Sequence, residues 1–390
     1  MRSTTWKTLI PIFADVVISP WNLLVGGFLV AHLRFFDALL AITIGYGILA
    51  VVFIIYGGLG TRYQKRTAQL LSYVFGKNGT RLIIPLLLAV GQIGWYAINT
   101  ELGGNSLAFL MHVPPFLGIV LYSAILILMA LLRLHHLSFI KLLITISSLA
   151  LLVFLFIGKL IQGALITSIP YTLYSLGWGI SVVVASLSSF ASVTPDFFAE
   201  LKTRNDVIKS TLVGMVLPGI ATASLGAFLF TGTHITNLSF LITSLSFSAF
   251  THFFNVLTNT DGAIAIYTPG FQLQHILGIS RKRGTTIAGT IGLIGALIGI
   301  TSQFEMWLTI LGIIYPSLIG VALARYYLFL FRKKRLKVAA LNARAVIATF
   351  LPILGLPFGN ITILTALSPI LSFTTYTLLS GIEIRIGTEE

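Results

Sequence analysis

Ser186-Leu187-Ser188-Ser189-Phe190-Ala191-Ser192-Val193-Thr194-Pro195-Asp196 lies inside a hydrophobic segment, about residues 172 to 199. That segment is long enough to cross a bilayer at ~1.5 Å per residue. Its middle is rich in serine, a proline follows, and Gly177 and Gly179 loosen it upstream. A spanning helix must satisfy its own backbone polar groups. Serines compete for those groups, and Pro195 has no N–H to give. An interruption is tolerated where the helix lines a cavity, and broken helices hold substrates in secondary transporters. The alternative is a continuous helix whose serines bond back to the i−4 carbonyls. A second candidate break, Ser19-Pro20-Trp21-Asn22 before Gly26-Gly27, favours interruption, because the two fall in corresponding halves of the chain.

The rest of the chain fits that reading. Its 390 residues are 56% hydrophobic and 9% charged, where a soluble domain carries about 25% charge. It reads as an all-α polytopic membrane protein, one transmembrane domain over residues 1–390. The hydrophobic pattern predicts twelve spans, near 7–32, 36–57, 82–111, 114–133, 138–158, 172–199, 207–232, 238–270, 284–301, 304–330, 339–357 and 361–381. The first is too long for a signal-peptide core. The connection 59–80 holds a polar run, Thr61-Arg62-Tyr63-Gln64-Lys65-Arg66, then a short interfacial helix carrying Leu70, Leu71, Val74 and Phe75. Residues 160–171 form a short outer link.

Charge placement orients the spans. With the N-terminus inside, all but Arg34 and Lys159 of the 25 Lys and Arg fall on the cytoplasmic side, Arg332-Lys333-Lys334-Arg335 and Lys337 among them. Both termini are then cytoplasmic, in a multi-pass protein of the cell membrane. The net charge of +14 is accounted for by loops lying against anionic lipid headgroups, with no nucleic acid partner. There are no cysteines, so disulfide and thiolate chemistry is excluded. No Gly-rich phosphate loop and no His/Asp/Glu cluster with metal spacing is present, and no catalytic dyad is visible. An enzyme is not expected.

Polar groups at membrane depth mark function. Asp15 lies four residues before Ser19, and Glu101 lies in the third span beyond Trp95 and Asn99. Trp95 and Asn99 are four apart and share a helical face. An indole beside a carboxamide stacks on a flat ring and bonds its edge; aromatic packing with a helix–helix amide bond is the alternative. In the eighth span, Asn255, Thr258 and Asn259 at i, i+3 and i+4 put three neutral oxygens on one face. They suit a hard monovalent cation such as Na⁺, or else interhelical hydrogen bonding. Asp15 would add charge to that site or carry a proton. His252 reads as a bonded structural imidazole or a titrating group.

Several stretches together resemble a known family. They are Gly58-Leu59-Gly60-Thr61, Gln69-Leu70-Leu71-Ser72-Tyr73-Val74-Phe75-Gly76 with Gly79, Gln92-Ile93-Gly94-Trp95-Tyr96, Thr194-Pro195-Asp196-Phe197 and Asn255-Val256-Leu257-Thr258-Asn259-Thr260-Asp261. In this order they resemble the nucleobase–cation symporters, the family of cytosine and hydantoin permeases. The resemblance implies a leucine-transporter-type fold of two inverted five-helix repeats, 1–158 and 172–331. Helices one and six would be broken, and two helices over 339–381 appended. It implies that Trp95 stacks on the substrate ring beside Asn99. Ser189, with Leu187 or Ser188, would meet the ring edge at the sixth-span break, and Ser19 would do so from span one. Thr260 and Asp261 close the eighth-span motif and join the substrate set. Asn255, Thr258 and Asn259, with Asp15, form the expected coupling-ion site for Na⁺ or H⁺, and no other cofactor is implied. Asn259 stands where the family often has Thr, Leu257 replaces a Trp, Gly262 replaces a polar residue, and Asp15 has no clear counterpart.

The expected function is symport of a planar nitrogen heterocycle, cytosine-like or hydantoin-like, with a coupling cation, Na⁺ first. A proton-coupled permease and an amino-acid carrier of the same fold are the alternatives. Trp95 favours a ring over a bare carboxylate.

Overall fold

A computed structural model of the chain describes residues 5–132, 134–161, 174–231, 248–330, 340–355 and 361–386. The outer link at 160–171 falls largely outside the described residues, as do the basic run Arg332–Lys337 and the start of the predicted eighth span. The described elements are helices: α1 (Trp6–Val17), α2 (Pro20–His32), α3 (Phe35–Val52), α4 (Gly58–Tyr63), α5 (Thr67–Asn78), α6 (Ile84–Met111), α7 (Pro115–Ala130), α8 (Leu134–Ile161), α9 (Leu176–Ala191), α10 (Thr194–Phe198), α11 (Arg204–Thr211) and α12 (Leu217–Phe230). Then follow α13 (Ser248–Thr258), α14 (Gly262–Ala265), α15 (Tyr267–Leu277), α16 (Arg281–Leu297), α17 (Phe304–Leu330), α18 (Ala343–Phe350) and α19 (Ile361–Ile386).

Among the described residues, Phe35–Tyr63, Thr67–Met111, Arg204–Phe230 and Ile300–Tyr327 are long and apolar enough to cross a membrane. The pair α1 and α2, bent by 50°, passes the same test together. The helix α3 shows why the surroundings must be lipid. Phe36, Leu40, Ile44, Ile48, Val51 and Ile55, spaced three or four apart, form one exposed apolar stripe.

The first break falls where the sequence places it. Pro20 opens α2 and forces Ser19 into extended backbone (φ −142°, ψ 156°), so α1 stops at Val17. Asn22 repairs the break. Its Nδ2 donates to Val17 O at 2.9 Å and to Gly219 O at 3.1 Å, and its Oδ1 accepts from Tyr46 Oη at 3.0 Å. One buried carboxamide thus ties the broken segment to α3 and α12.

The second break lies one turn beyond the serine pair. The chain stays helical to Ala191, is interrupted at Ser192–Val193, and resumes at Thr194. Leu187, Ser188 and Ser189 therefore sit in the last turns of α9, not at the break. The hydroxyls of Ser186 and Ser188 bond back to the carbonyls three residues earlier, Val183 and Ala185, each at 2.8 Å. Pro195 cannot serve Ala191 O, and Thr194 Oγ1 does so instead at 2.7 Å. Ser192 O accepts from Tyr56 Oη at 3.1 Å. The two upstream glycines lie in its first turn.

The predicted eighth span is not one regular helix. After α13 a 3-10 turn covers Asn259–Asp261, then α14 and α15 follow. Asn259 Nδ2 takes Asn255 O at 2.8 Å, a side chain competing for a backbone acceptor.

The packing is paired. The half-helix α2 lies on α12, and α9 lies on α3. Close approach of α2 and α12 requires glycine on both sides. A Cβ at Gly26 would stand 1.9 Å from Ala223 O, and one at Gly226 would stand 2.0 Å from Leu23 O. The long helix α6 is the central post, with α7, α13, α15 and α16 packed around it, while α17 packs on α19 and α9. The predicted interfacial helix is α5. Its Thr67 N–H donates to Asp196 Oδ1 at 2.7 Å, and Tyr326 Oη donates to Leu70 O at 2.9 Å.

Candidate functional site

A cavity of about 100 Å³ opens where the α1–α2 break, α6, α9–α10 and α14–α15 converge. From α6 it takes Gln92, Trp95 and Asn99; from α9 it takes Ser186, Leu187, Ser189 and Phe190. Val193 at the break and Phe197 beyond it close one side, Asp15, Val16 and Trp21 another, and Asp261, Ile264, Ala265 and Thr268 a third. An apolar cavity of roughly 150 Å³ admits benzene, so the space is on the scale of a single small ring.

Aromatic rings form one wall. The Trp95 and Trp21 centroids are 5.0 Å apart and their planes tilted by 45°, with Phe304 behind Trp95 at 6.3 Å. Trp95 Nε1 donates to Ser189 Oγ at 3.2 Å. One helical turn along, Asn99 is 2% exposed. Its Oδ1 is buried without a hydrogen-bond partner among the described residues. A buried carboxamide oxygen left unsatisfied costs about 1–3 kcal/mol unless a ligand or water serves it. Thr268 Oγ1, on the opposite wall, is in the same condition.

Of the residues expected from sequence, the fold gathers Asp15, Trp95, Asn99, Leu187, Ser189 and Asp261 around this one space. Asp15, 2% exposed, accepts from Thr145 Oγ1 of α8 at 3.1 Å. The others face elsewhere. Ser19 Oγ donates to Val16 O at 3.3 Å, and Thr260 Oγ1 to Leu257 O at 2.6 Å. Ser188, about 100° around α9 from Ser189, donates to Leu311 O at 3.0 Å.

The eighth-span triad is engaged in hydrogen bonds of its own. Asn255 Nδ2 donates to Leu102 O at 3.1 Å and Ser106 Oγ at 2.7 Å, while its Oδ1 accepts from Asn259 Nδ2 at 2.7 Å. Thr258 Oγ1 points back at Asn255 O at 3.3 Å. Asn259 Oδ1 is the member of the three left buried and without a partner among the described residues. Asp15 is held by α8, while Asn255 is held by α6. Asp15 and the triad are thus held by different helices; Asn259 Oδ1 has no partner among the described residues, and Thr258 Oγ1, which donates its hydrogen, keeps its lone pairs for a cation. His252 completes the same polar seam, its Nδ1 3.0 Å from Ser106 Oγ and its ring stacked on Phe109 at 4.0 Å.

Sequence reasoning missed Trp21, Phe190, Phe197 and Thr268 as cavity residues. Trp21 carried a signal, since it directly follows the first break. Thr268 carried a weaker one, seven residues after Asp261 on the same helical stripe.

A larger cavity of about 460 Å³ lies on the opposite face of α9, between α3, α17 and α19. Its lining is apolar apart from Ser181 and Ser188. It lacks the convergent polar groups that orient a ligand, so the smaller cavity is the candidate site.

Residues 1–351 match the model of a family described as permease for cytosine/purines, uracil, thiamine, allantoin. A cytosine permease of Escherichia coli O157:H7 is 26% identical over 324 residues, which cover 77% of this chain and 73% of that protein. Among solved structures, Mhp1, a nucleobase-cation-symport-1 family transporter in a closed conformation with bromovinylhydantoin bound, superposes with a TM-score of 0.77 at 16% identity. The match covers 94% of this chain and 90% of Mhp1. The inward-facing conformation of Mhp1 gives 0.79 at 15% identity, over 97% and 93%. A Na⁺-coupled sialic acid symporter gives 0.68 at 13% identity, over 98% and 90%. At these identities the structural likeness carries the fold, that of a helical membrane transporter.

Proposed function

Because the chain belongs to the family of permeases for cytosine/purines, uracil, thiamine and allantoin, we propose that it is a symporter of a planar nitrogen heterocycle, cytosine-like or hydantoin-like, working by alternating access. The observation that carries this reading is Asn99. It is a buried carboxamide whose oxygen has no partner among the described residues, one turn from an indole facing the same small cavity. The ring would stack on Trp95 and Trp21, with its edge bonded by Asn99, Ser189 and Asp261. The relatives support the class: one is a cytosine permease, and another is held closed around a substituted hydantoin.

The same reading takes the protein as twelve spans in the cell membrane with both termini cytoplasmic. Two inverted repeats, 1–158 and 172–331, would be followed by two helices over 339–381. The packing of α2 on α12 and of α9 on α3 pairs span one with span seven and span six with span two, which supports a repeat relating spans one and two to six and seven. The basic loops would rest on anionic headgroups.

Na⁺ is the first coupling ion to test, because Asn259 Oδ1 is a buried oxygen in want of a partner. A second reading, proton coupling through Asp15, is favoured by the position of that buried carboxylate on the cavity wall, bonded to Thr145. Counterflow of labelled cytosine, uracil, hypoxanthine, hydantoin and amino acids into proteoliposomes tests the substrate class. Exchange of a heterocycle is expected. Exchange of amino acids alone would sink the proposal.

A further inference from the structure

Glu101 is buried, 7% exposed, and lies beyond Asn99 on α6. No part of the ring site uses it, and it does not line the cavity. A carboxylate at membrane depth is expensive to keep and is retained where it does something. Its partners are specific. Glu101 Oε2 accepts from Thr301 N–H at 3.0 Å, and Oε1 accepts from the Thr301 hydroxyl. Thr301 sits in the 3-10 turn Ile300–Gln303 that leads into α17. Gly299, at φ 78°, reverses the chain just before it, a left-handed backbone that glycine adopts without a Cβ clash. Glu101 therefore caps the 3-10 turn that leads into α17, where amide hydrogens lack carbonyl partners.

Three residues after Thr301 comes Phe304. Its ring meets Trp95 edge-on at 6.3 Å and Phe28 at 5.9 Å, and Phe28 packs on Trp178 at 5.4 Å. Phe304 is thus the link between the stacking indole and the aromatic cluster at that end of the bundle. Its place is set by how α17 begins. We propose that Glu101 is a positioning residue that, through Thr301, seats Phe304 behind Trp95 and holds that end of the ring site shut. This rests on the assignment of the Trp95 cavity as the substrate site, but its test needs no substrate.

The chain has no cysteine, so a single Ser186→Cys places one thiol on the cavity wall. The full-length protein in proteoliposomes of known orientation is treated with a small impermeant thiol reagent, from each face in turn. With Glu101 intact, labelling from the Thr301 face should be slow. Glu101→Ala should raise that rate about tenfold or more, the scale of losing a charge-assisted hydrogen bond, with no change from the other face. Thr301→Val keeps the carboxylate and should act in the same direction, while Thr301→Ser, which keeps both donors, should restore the slow rate. The double variant Glu101→Ala/Thr301→Val should be no faster than the faster single one, since both break one interaction. An unchanged rate in Thr301→Val, equal acceleration from both faces, or additive effects would overturn the proposal. If Glu101→Ala fails to fold, the comparison of Thr301→Val with Thr301→Ser decides it. Failure of heterocycle counterflow with these labelling results intact would count against the substrate reading and leave the positioning role standing.

Discussion

Trp95 Nε1 donates to Ser189 Oγ at 3.2 Å, joining α6 to the last turns of α9 across the cavity. The bond fixes the plane of the indole and also occupies the serine oxygen as an acceptor. Ser189 is left to offer its own O–H to a ligand.

The two residues should therefore act as a unit in binding. Trp95→Ala removes a stacking surface worth roughly 1–3 kcal/mol, by analogy with base–aromatic stacking. Affinity measured by titration should fall about ten- to a hundredfold. Trp95→Phe keeps a ring but loses the bond, and should retain part of the affinity. Ser189→Ala added to Trp95→Phe should cost less than the two single losses combined. Full affinity in a folded Trp95→Ala protein would remove the indole from the site.

Asn22 should prove structural. Asn22→Ala leaves Val17 O, Gly219 O and Tyr46 Oη without the partner that now joins them. Each buried group left unsatisfied costs about 1–3 kcal/mol. The expected result is a clear drop in thermal stability in detergent, with Asn22→Asp unable to replace the two donated hydrogen bonds. A melting temperature equal to wild type would show that the first break does not depend on this node.

Glycine contacts give a matched pair of substitutions. Gly26→Ala places a Cβ 1.9 Å from Ala223 O, so α2 and α12 must separate. Gly47→Ala meets nothing within 4 Å. Folded yield and transport should collapse for the first and stay near wild type for the second. Equal tolerance of both would contradict the close packing of the two helices.

Coupling is tested by binding substrate against Na⁺, K⁺ and pH. Sodium coupling requires Na⁺ to tighten substrate binding, by a factor of order 5–150, and substrate to tighten Na⁺ equally. Asn259→Ala should weaken that effect if its uncommitted oxygen is a ligand. Proton coupling instead predicts binding indifferent to Na⁺ and uptake that follows a pH gradient, lost in Asp15→Asn. Sodium linkage unchanged in both variants would exclude Asn259 and Asp15 alike from the coupling site.

The basic loops predict the orientation. Lys282 is exposed at the start of α16. Lys282→Cys should resist an impermeant thiol reagent applied outside intact cells and react after permeabilisation. Ready labelling from outside would invert the topology.

Much of the protein was legible in its residues one at a time. Hydrophobic run length and sparse charge determined a membrane bundle, because uninterrupted apolar runs of about 20 residues satisfy their backbone in lipid as helices. Ser19-Pro20 determined the first break, since proline restricts its own φ and its neighbour's. The four-residue spacing of Trp95 and Asn99 determined that they share a face. Tertiary structure decided what depends on a partner supplied by a distant helix. The sixth-span serines bond back to their own carbonyls, so the helix runs on to Ala191 and turns Ser189 to the cavity but Ser188 to Leu311. Spacing puts Asn255 and Thr258 on one face, but which hydrogen bonds an amide or hydroxyl donates depends on the nearest acceptor. Leu102 and Ser106 of α6 reach Asn255 first, and Thr258 turns to Asn255's own carbonyl. Trp21 and Thr268 entered the site because folding brought together walls more than 200 residues apart in the chain, a proximity that no local pattern encodes.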